Sequence, residues 1–213
     1  LPLRSKLPDI GTTIFTVMSR MAQEHGAINL SQGFPDFDCP ARLRELVAFH
    51  LNDRRNQYPP MTGIPALREQ IAAKVLDHYG ALVDMDQEVT VTSGATEALF
   101  DAIQATVGPG DDVIVLDPAY DSYEPAIRLA GGRAVRIPLQ LPHFGVDWNQ
   151  VEDALSPRTR LIIINTPHNP SGAVLSAQDM DTLATLTRDT DILVLSDEVY
   201  EHIVFDGEPH ASC

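Results

Sequence analysis

The sequence of residues 161–172 is Leu161-Ile162-Ile163-Ile164-Asn165-Thr166-Pro167-His168-Asn169-Pro170-Ser171-Gly172. Its short, continuously apolar start is typical of a β-strand that is buried on both faces of a sheet. The two prolines that follow fix the backbone and lack N–H donors, so the amides of Asn165 and Asn169 are held in defined positions. A rigid turn is the simpler interpretation of this loop, and a binding loop is the functional one.

Strands and helices alternate on both sides of this run. Apolar patterns predict strands at 89–92, 113–116, 134–137, 161–164 and 192–195, and helices at 95–106, about 120–129, 147–155 and 176–188. Earlier helices are expected from residue 14 to Gly26, after Pro40 and from 65 to 79, with Gly80 as a C-cap. Such alternation predicts right-handed crossovers and a mostly parallel sheet with helices on both faces. Ligands of such sheets bind outside the carboxyl ends of the strands.

Composition limits the classes of protein that fit. The chain has 213 residues, enough for one domain or for one domain with a small appendage, and 44% are hydrophobic. The net charge of −15 disfavours nucleic acid and anionic membranes as partners, because both require clustered Lys and Arg. It does not exclude a phosphate ligand, since backbone amides bind phosphate without side-chain charge.

The remaining composition points to the cytoplasm and away from metals and membranes. Cys39 and Cys213 are too few for a disulfide framework, which favours a reducing cytoplasm. No apolar run approaches the ~20 residues of a membrane helix, and residues 1–6 contain no signal-peptide h-region. The seven histidines have no metal-binding spacing, so no metal site is predicted.

A second motif, Ser93-Gly94-Ala95-Thr96, lies between a predicted strand and a predicted helix. The amides at a helix N-terminus attract anions, and Gly94 lets the backbone approach a ligand closely. The alternative is an ordinary N-cap.

Acidic and aromatic residues follow two other strands. Asp197 is expected just past the strand at 192–195, where a carboxylate near the core is costly unless it is paired. It could pair with a pyridinium N–H, or it could be a solvated acid at a strand end. Tyr120 and Tyr123 could stack on a flat ring or form the buried face of the next helix.

These motifs, in this order, resemble the N-terminal portion of a class I pyridoxal-phosphate (PLP) aminotransferase of the aspartate aminotransferase fold. The resemblance also includes Gln32-Gly33-Phe34-Pro35-Asp36, Asn56-Gln57-Tyr58 and Asp197-Glu198-Val199-Tyr200. It is strongest to the branch of methionine and kynurenine aminotransferases. It implies an α/β fold of the PLP-dependent transferase type (fold type I), incomplete at the C-terminus. Residues 1–50 would form an arm and part of the small domain, and residues 51–213 the PLP-binding large domain.

The resemblance also implies a role for each matched residue. Asp197 would keep the ring nitrogen protonated, and Tyr200 and Asn169 would share the ring hydroxyl. Tyr120 would stack on the ring, Asn165 would contact the cofactor, and Tyr58 would reach the phosphate in the partner subunit of a homodimer. Gly33 and Asn169 would bind the substrate, with Gly33 near its carboxylate. The phosphate cup would be formed by Ser93, Gly94, Ala95 and Thr96.

One family feature is missing. The lysine that holds the cofactor follows the Asp-Glu-Val-Tyr segment in the family, but the lysines here are Lys6 and Lys74, which both precede it. The resemblance therefore implies that a complete protein transfers amino groups between amino acids and 2-oxo acids, with methionine, aromatic or other large apolar donors. Residues 1–213 alone are expected to be inactive. The alternatives are a carbon–sulfur lyase of the same fold and a non-catalytic PLP-binding module.

Overall fold

The computed structural model describes residues 4–33, 35–207 and 209–213. These residues form two compact units, which divide between Val91 and Thr92. One unit is Asp9–Val91, and the other contains Thr92–Cys213 with a short N-terminal segment that ends at Pro8. The domain boundary expected after residue 50 concerns the complete protein and stays a prediction.

The described residues of the unit Asp9–Val91 form three helices, α1 (Ile14–Glu24), α2 (Ala41–Asn52) and α3 (Pro65–Tyr79). The expected limits of α3 are confirmed, because it begins at Pro65 and its C-cap is Gly80, with a φ of 68°. Arg68 on α3 is buried and donates hydrogen bonds to the Met85 carbonyl oxygen at 2.6 Å and to Asp86 Oδ1 at 3.1 Å. These bonds compensate the cost of burying a guanidinium group.

The prediction of a strand at 89–92 is wrong. These residues form no regular secondary structure and belong to no sheet. The amide of Val91 instead donates to the Thr62 carbonyl oxygen at 3.0 Å, and Gly63 packs so closely that a Cβ there would lie 2.6 Å from Val91 Cγ2. Val89 is buried, as the alternation of apolar residues indicated. A strand, however, also requires a neighbouring strand as a hydrogen-bonding partner.

The larger unit contains helices on a four-stranded parallel sheet. Its elements in chain order are α4 (Ala95–Thr106), β1 (Asp112–Asp117), α5 (Tyr123–Ala130), β2 (Arg133–Pro138), α6 (Trp148–Ala154), β3 (Thr159–Asn165), α7 (Ala177–Thr187) and β4 (Leu193–Asp197). The strand order is β2-β1-β3-β4, and every pair is parallel. The predicted parallel sheet is thus confirmed.

Both faces of this sheet are covered, as the continuous apolar runs predicted. Val113, Val115, Leu161 and Ile163 pack on one face against α4 and α5, in a cluster that includes Leu99, Ile103, Tyr123 and Ile127. Ile114, Leu116, Ile162 and Ile164 pack on the other face with Val151 of α6 and Leu183 of α7. Full burial stabilises each such side chain by about 1.5–3 kcal/mol. This two-sided core fixes the carboxyl edge of the sheet.

The helix ends place the loops at that edge. Asp147 caps α6 by accepting from the amides of Asn149 and Gln150, and Ser176 and Asp179 form the predicted capping box of α7. The helix expected from about residue 120 begins only at Tyr123. Tyr120 therefore lies in the turn between β1 and α5, so its ring is directed by a loop and not by a helix face.

Candidate functional site

A cavity of about 140 Å³ lies at the carboxyl ends of β3 and β4, beside the N-terminus of α4. Its lining residues are Ala95, Thr96, Leu99, Tyr120, Asn165, Asn169, Asp197, Val199 and Tyr200. All of them belong to the unit that contains the sheet. Seven of the predicted site residues are thus brought to one place, from four segments: the start of α4, the turn after β1, the loop after β3 and the end of β4.

The N-terminus of α4 has no side-chain cap. Its N-cap is Gly94, with a φ of 87° and a ψ of 166°, and no side chain accepts from the first amides of the helix. Ser93 precedes this N-cap, and its amide donates to the carboxylate of Glu97. A Cβ at Gly94 would meet nothing within 4 Å. The exposed amides and the positive end of the helix dipole therefore form a position that suits an anion.

Asp197 is a buried acid with a partner. It is the last residue of β4, it is 8% exposed, and its Oδ2 accepts a 2.6 Å hydrogen bond from the hydroxyl of Tyr123. Its Oδ1 accepts from the amide of Val199 at 3.3 Å. Burial and then the Asp197 carboxylate raise the pKa of Tyr123 far above its ordinary value, so the phenol remains a donor. The interpretation of Asp197 as a solvated strand-end acid does not fit this environment.

The loop after β3 is tied to β4 by one side chain. Asn165 Nδ2 donates to the Asp197 carbonyl oxygen at 2.8 Å, and Asn165 Oδ1 accepts from the amide of Asn169 at 2.7 Å. His168 Nδ1 lies 2.6 Å from Ser171 Oγ, and burial lowers the pKa of His168. The loop is therefore held in one conformation with Asn169 at the cavity.

Aromatic rings complete the cavity. Tyr120 contacts Tyr123 edge-on, with ring centroids 5.8 Å apart and an interplanar angle of 77°. The Tyr120 hydroxyl lies 3.5 Å from Thr96 Oγ1, next to the start of α4. Tyr200 is 36% exposed and lines the same cavity. These positions leave a slot into which a flat ring could stack against Tyr120.

Two predicted residues lie in the other unit. Gly33 is exposed, with no atom within 4 Å of where a Cβ would lie, and Tyr58 is fully exposed. Phe34, in the same motif as Gly33, lies outside the described residues. The roles expected for Gly33 and Tyr58 stay predictions.

The main polar group that sequence reasoning did not assign to the site is the hydroxyl of Tyr123. Its sequence context indicated either a stacking ring or a buried helix face, and the ring does lie on the buried face of α5. The hydroxyl, however, reaches an acid that is 74 residues away in sequence. The one available signal was that a buried tyrosine hydroxyl usually requires a hydrogen-bonding partner.

The described part of the chain has neither a metal-binding cluster nor a membrane-spanning helix. Over residues 4–33, 35–207 and 209–213, no group of three or more His, Cys, Asp or Glu side chains could hold a metal ion. Within those same ranges, no helix combines the length and the apolar character needed to cross a membrane.

Comparison with known proteins identifies the family. Residues 25–212 match the family described as aminotransferase class I and II. The chain is 57% identical over 209 residues to methionine aminotransferase of Escherichia coli, with 98% of this chain and 54% of that protein covered. It is 36% identical to kynurenine–oxoglutarate transaminase 3 of mouse, with 96% and 48% covered.

Solved structures agree with this result. The crystal structure of an Escherichia coli protein identified as a methionine aminotransferase has a TM-score of 0.96 and 57% identity, and the match covers 100% of this chain and 56% of that one. That of N-succinyldiaminopimelate aminotransferase from Mycobacterium tuberculosis has a TM-score of 0.93 and 43% identity, with 98% and 55% covered. The chain belongs to the class I and II aminotransferase family, whose members with this fold use pyridoxal phosphate. It spans about half the length of these relatives.

Proposed function

We propose that this chain is the cofactor-binding part of a PLP-dependent aminotransferase. The observation that carries the proposal is a buried carboxylate, Asp197, in the same cavity as the uncapped N-terminus of α4. A buried acid favours a cationic partner, and free helix amides favour an anion. PLP carries both groups, a protonated ring nitrogen and a phosphate, at opposite ends of one flat ring.

The residues present fit this cofactor. The amides of Ala95 and Thr96 would bind the phosphate, while the amide of Gly94 donates to the Thr92 carbonyl oxygen at 2.9 Å. Gly94 would let the backbone approach the phosphate, and Tyr120 would fix the plane of the ring. Asp197 would accept a hydrogen bond from the ring nitrogen and keep it protonated. Asn169 and Tyr200 would donate to the ring oxygen.

When bound, PLP supplies an electron sink for the carbon next to the amino group. The lysine that holds the cofactor and moves the proton would come from outside this sequence, because Lys6 and Lys74 both precede the Asp197–Tyr200 segment that this lysine follows in the family. The residues described here would orient the ring, keep its nitrogen charged and exclude water from one side of it.

The proposed substrates are amino acids with large apolar side chains and their 2-oxo acid acceptors. Support comes from the names of the similar proteins, which include methionine and kynurenine transaminases. Turnover of methionine with a 2-oxo acid, compared with thiol release from cystathionine, separates transamination from carbon–sulfur lysis.

The assembly and the compartment are also proposed. The full-length protein is a homodimer, with Tyr58 of each subunit reaching the phosphate of its neighbour, and the complete exposure of this ring in the chain supports the assignment. A cytoplasmic location is supported by the unpaired state of Cys39 and Cys213.

Replacement of Asp197 in the full-length protein tests the proposed transaminase function. Asp197→Ala should leave PLP bound, because the phosphate position is intact, but should reduce transamination by about 10²-fold or more, since the ring nitrogen loses its charge partner. Absorbance of the bound cofactor and turnover of methionine are the measurements. Asp181→Ala, at an exposed position on α7, is the matched control. Activity of Asp197→Ala within a few-fold of the parent protein would refute the assignment.

A further inference from the structure

Asn165 is buried at the end of β3, and both polar atoms of its side chain are bound to main-chain groups. It is 5% exposed. Its Nδ2 donates to the Asp197 carbonyl oxygen at 2.8 Å, and its Oδ1 accepts from the Asn169 amide at 2.7 Å. One side chain thus links a residue on the neighbouring strand to a residue four positions ahead in its own loop.

At the β4 end, this link fixes the main chain of the buried acid. Asn165 and Asp197 are register partners in the parallel pair of β3 and β4. The Asp197 carbonyl oxygen also accepts from the amide of Thr166 at 3.1 Å. The two donors hold the Asp197 backbone, while Tyr123 holds its carboxylate. The acid is therefore fixed at both ends.

At the loop end, Asn165 ties the loop to the sheet, in a stretch where few main-chain amides are available for this purpose. Pro167 and Pro170 lack amide hydrogens, so they cannot tie the loop to the sheet. The amide of His168 is used within the loop, where it donates to the Ala173 carbonyl oxygen at 2.8 Å. The amide of Asn169 is the one that returns to β3, through Asn165 Oδ1.

We propose that Asn165 is a positioning residue that sets the spacing between Asp197 and Asn169. This inference rests on the proposed function, in which those two residues face the nitrogen and the oxygen of one ring. It differs from the sequence-based expectation that Asn165 contacts the cofactor. The side-chain oxygen of Asn165 and one of its two Nδ2 hydrogens form hydrogen bonds with main-chain groups. A single Nδ2 hydrogen is therefore left for a direct contact with the cofactor.

The first test does not require a cofactor. In the full-length protein without PLP, Asn165→Ala should increase hydrogen exchange of the Asn169 amide by about tenfold, because that amide loses its acceptor. Asn149→Ala, an exposed asparagine of α6, is the matched control and should leave the exchange unchanged. Unchanged exchange in Asn165→Ala would overturn the proposal.

The second test separates positioning from direct contact by a double-mutant cycle on PLP affinity. Asn165→Ala should weaken PLP binding by about tenfold in the parent protein but by clearly less when Asn169→Ala is already present. Equal effects in both backgrounds would show direct contact and overturn the proposal. If the parent protein binds no PLP, the proposed function fails. Hydrogen exchange of the Asn169 amide then still tests whether Asn165 links the loop to β4.

A third variant keeps the proposal testable if Asn165→Ala does not fold. Asn165→Asp keeps an acceptor for the Asn169 amide but replaces the donor to Asp197. It should therefore preserve the slow exchange of the Asn169 amide, and it should weaken PLP binding less than Asn165→Ala does. Fast exchange at Asn169 in this variant would contradict the assigned geometry, even if Asn165→Ala gives no soluble protein.

Discussion

The Tyr123 hydroxyl donates a hydrogen bond to Asp197, the acid that lines the cavity. Two physical facts make the bond important. Asp197 is buried, so its carboxylate has lost water and depends on protein donors. The pKa of Tyr123 is raised, first by burial and then by Asp197, so the phenol stays protonated and donates. The pair is therefore a fixed donor and a fixed acceptor.

Removal of that hydroxyl should destabilise the protein. We expect Tyr123→Phe to lower the free energy of unfolding by about 1–3 kcal/mol, because a buried carboxylate oxygen loses its donor. Chemical denaturation of the full-length protein without PLP measures the change. In an Asp197→Ala background the same substitution should cost much less, since no acceptor remains. An equal cost in both backgrounds would mean that the hydroxyl contributes through other contacts.

Gly94 permits a backbone conformation that other residues rarely adopt. Its φ of 87° and ψ of 166° lie in a region populated almost exclusively by glycine. Gly94→Ala should therefore destabilise the protein by about 1–3 kcal/mol, or rotate the first amides of α4 and weaken PLP binding. Gly145→Ala is the matched control, because a Cβ there also meets open space and its φ is not positive. No effect on stability or on PLP affinity would contradict this role.

Individual elements differ in how completely the sequence specified them. α3 and α7 were predicted almost to the residue, because Pro65, Gly80 and the Ser176–Asp179 box act locally. The strand at 89–92 failed because pairing depends on a partner that the local sequence does not specify. Most of the candidate site was predictable, since strand ends meet at one edge. The links from Tyr123 and Asn165 were not, because they depend on register between distant segments.

The start of β1 carries a pH-sensitive charge cluster remote from the cavity. Asp112 is 2% exposed, and its carboxylate accepts two hydrogen bonds from Arg133, at 2.7 and 2.9 Å. Arg158 Nε lies 3.3 Å from Asp112 Oδ2. The hydrogen bond from Arg133 is the main cause that holds the pKa of Asp112 below its ordinary value, against the opposing effect of burial.

This cluster predicts a pH-dependent stability. Because the pKa of folded Asp112 is depressed, its contribution is complete above its unfolded pKa of about 3.9 and is lost as pH falls through the folded value. Asp112→Asn should therefore cost about 1–3 kcal/mol at pH 7, and the gap to the parent protein should close in acid. Denaturation series at several pH values measure this gap, with Asp181→Asn as an exposed control. A gap that is constant with pH would contradict the assignment.

For the whole molecule, the proposed dimer gives the exposed ring of Tyr58 a function. Tyr58→Phe should weaken PLP binding by about tenfold if its hydroxyl donates to the phosphate of the neighbouring subunit, because charge-assisted hydrogen bonds are strong. PLP titration measures the affinity, and sedimentation at several concentrations measures the assembly. A fully active monomer would refute the dimer and the role of Tyr58 together.

The strand order also governs when the cavity can form during synthesis. The chain emerges N-terminus first, and β1, β2 and β3 precede β4, which lies at one edge of the described sheet and carries Asp197. A nascent chain that ends before β4 has the helix terminus for the phosphate but lacks the acid and the carbonyl to which Asn165 is anchored. We therefore expect cofactor capture to follow the docking of β4, because the phosphate position alone lacks the acid that pairs with the ring nitrogen.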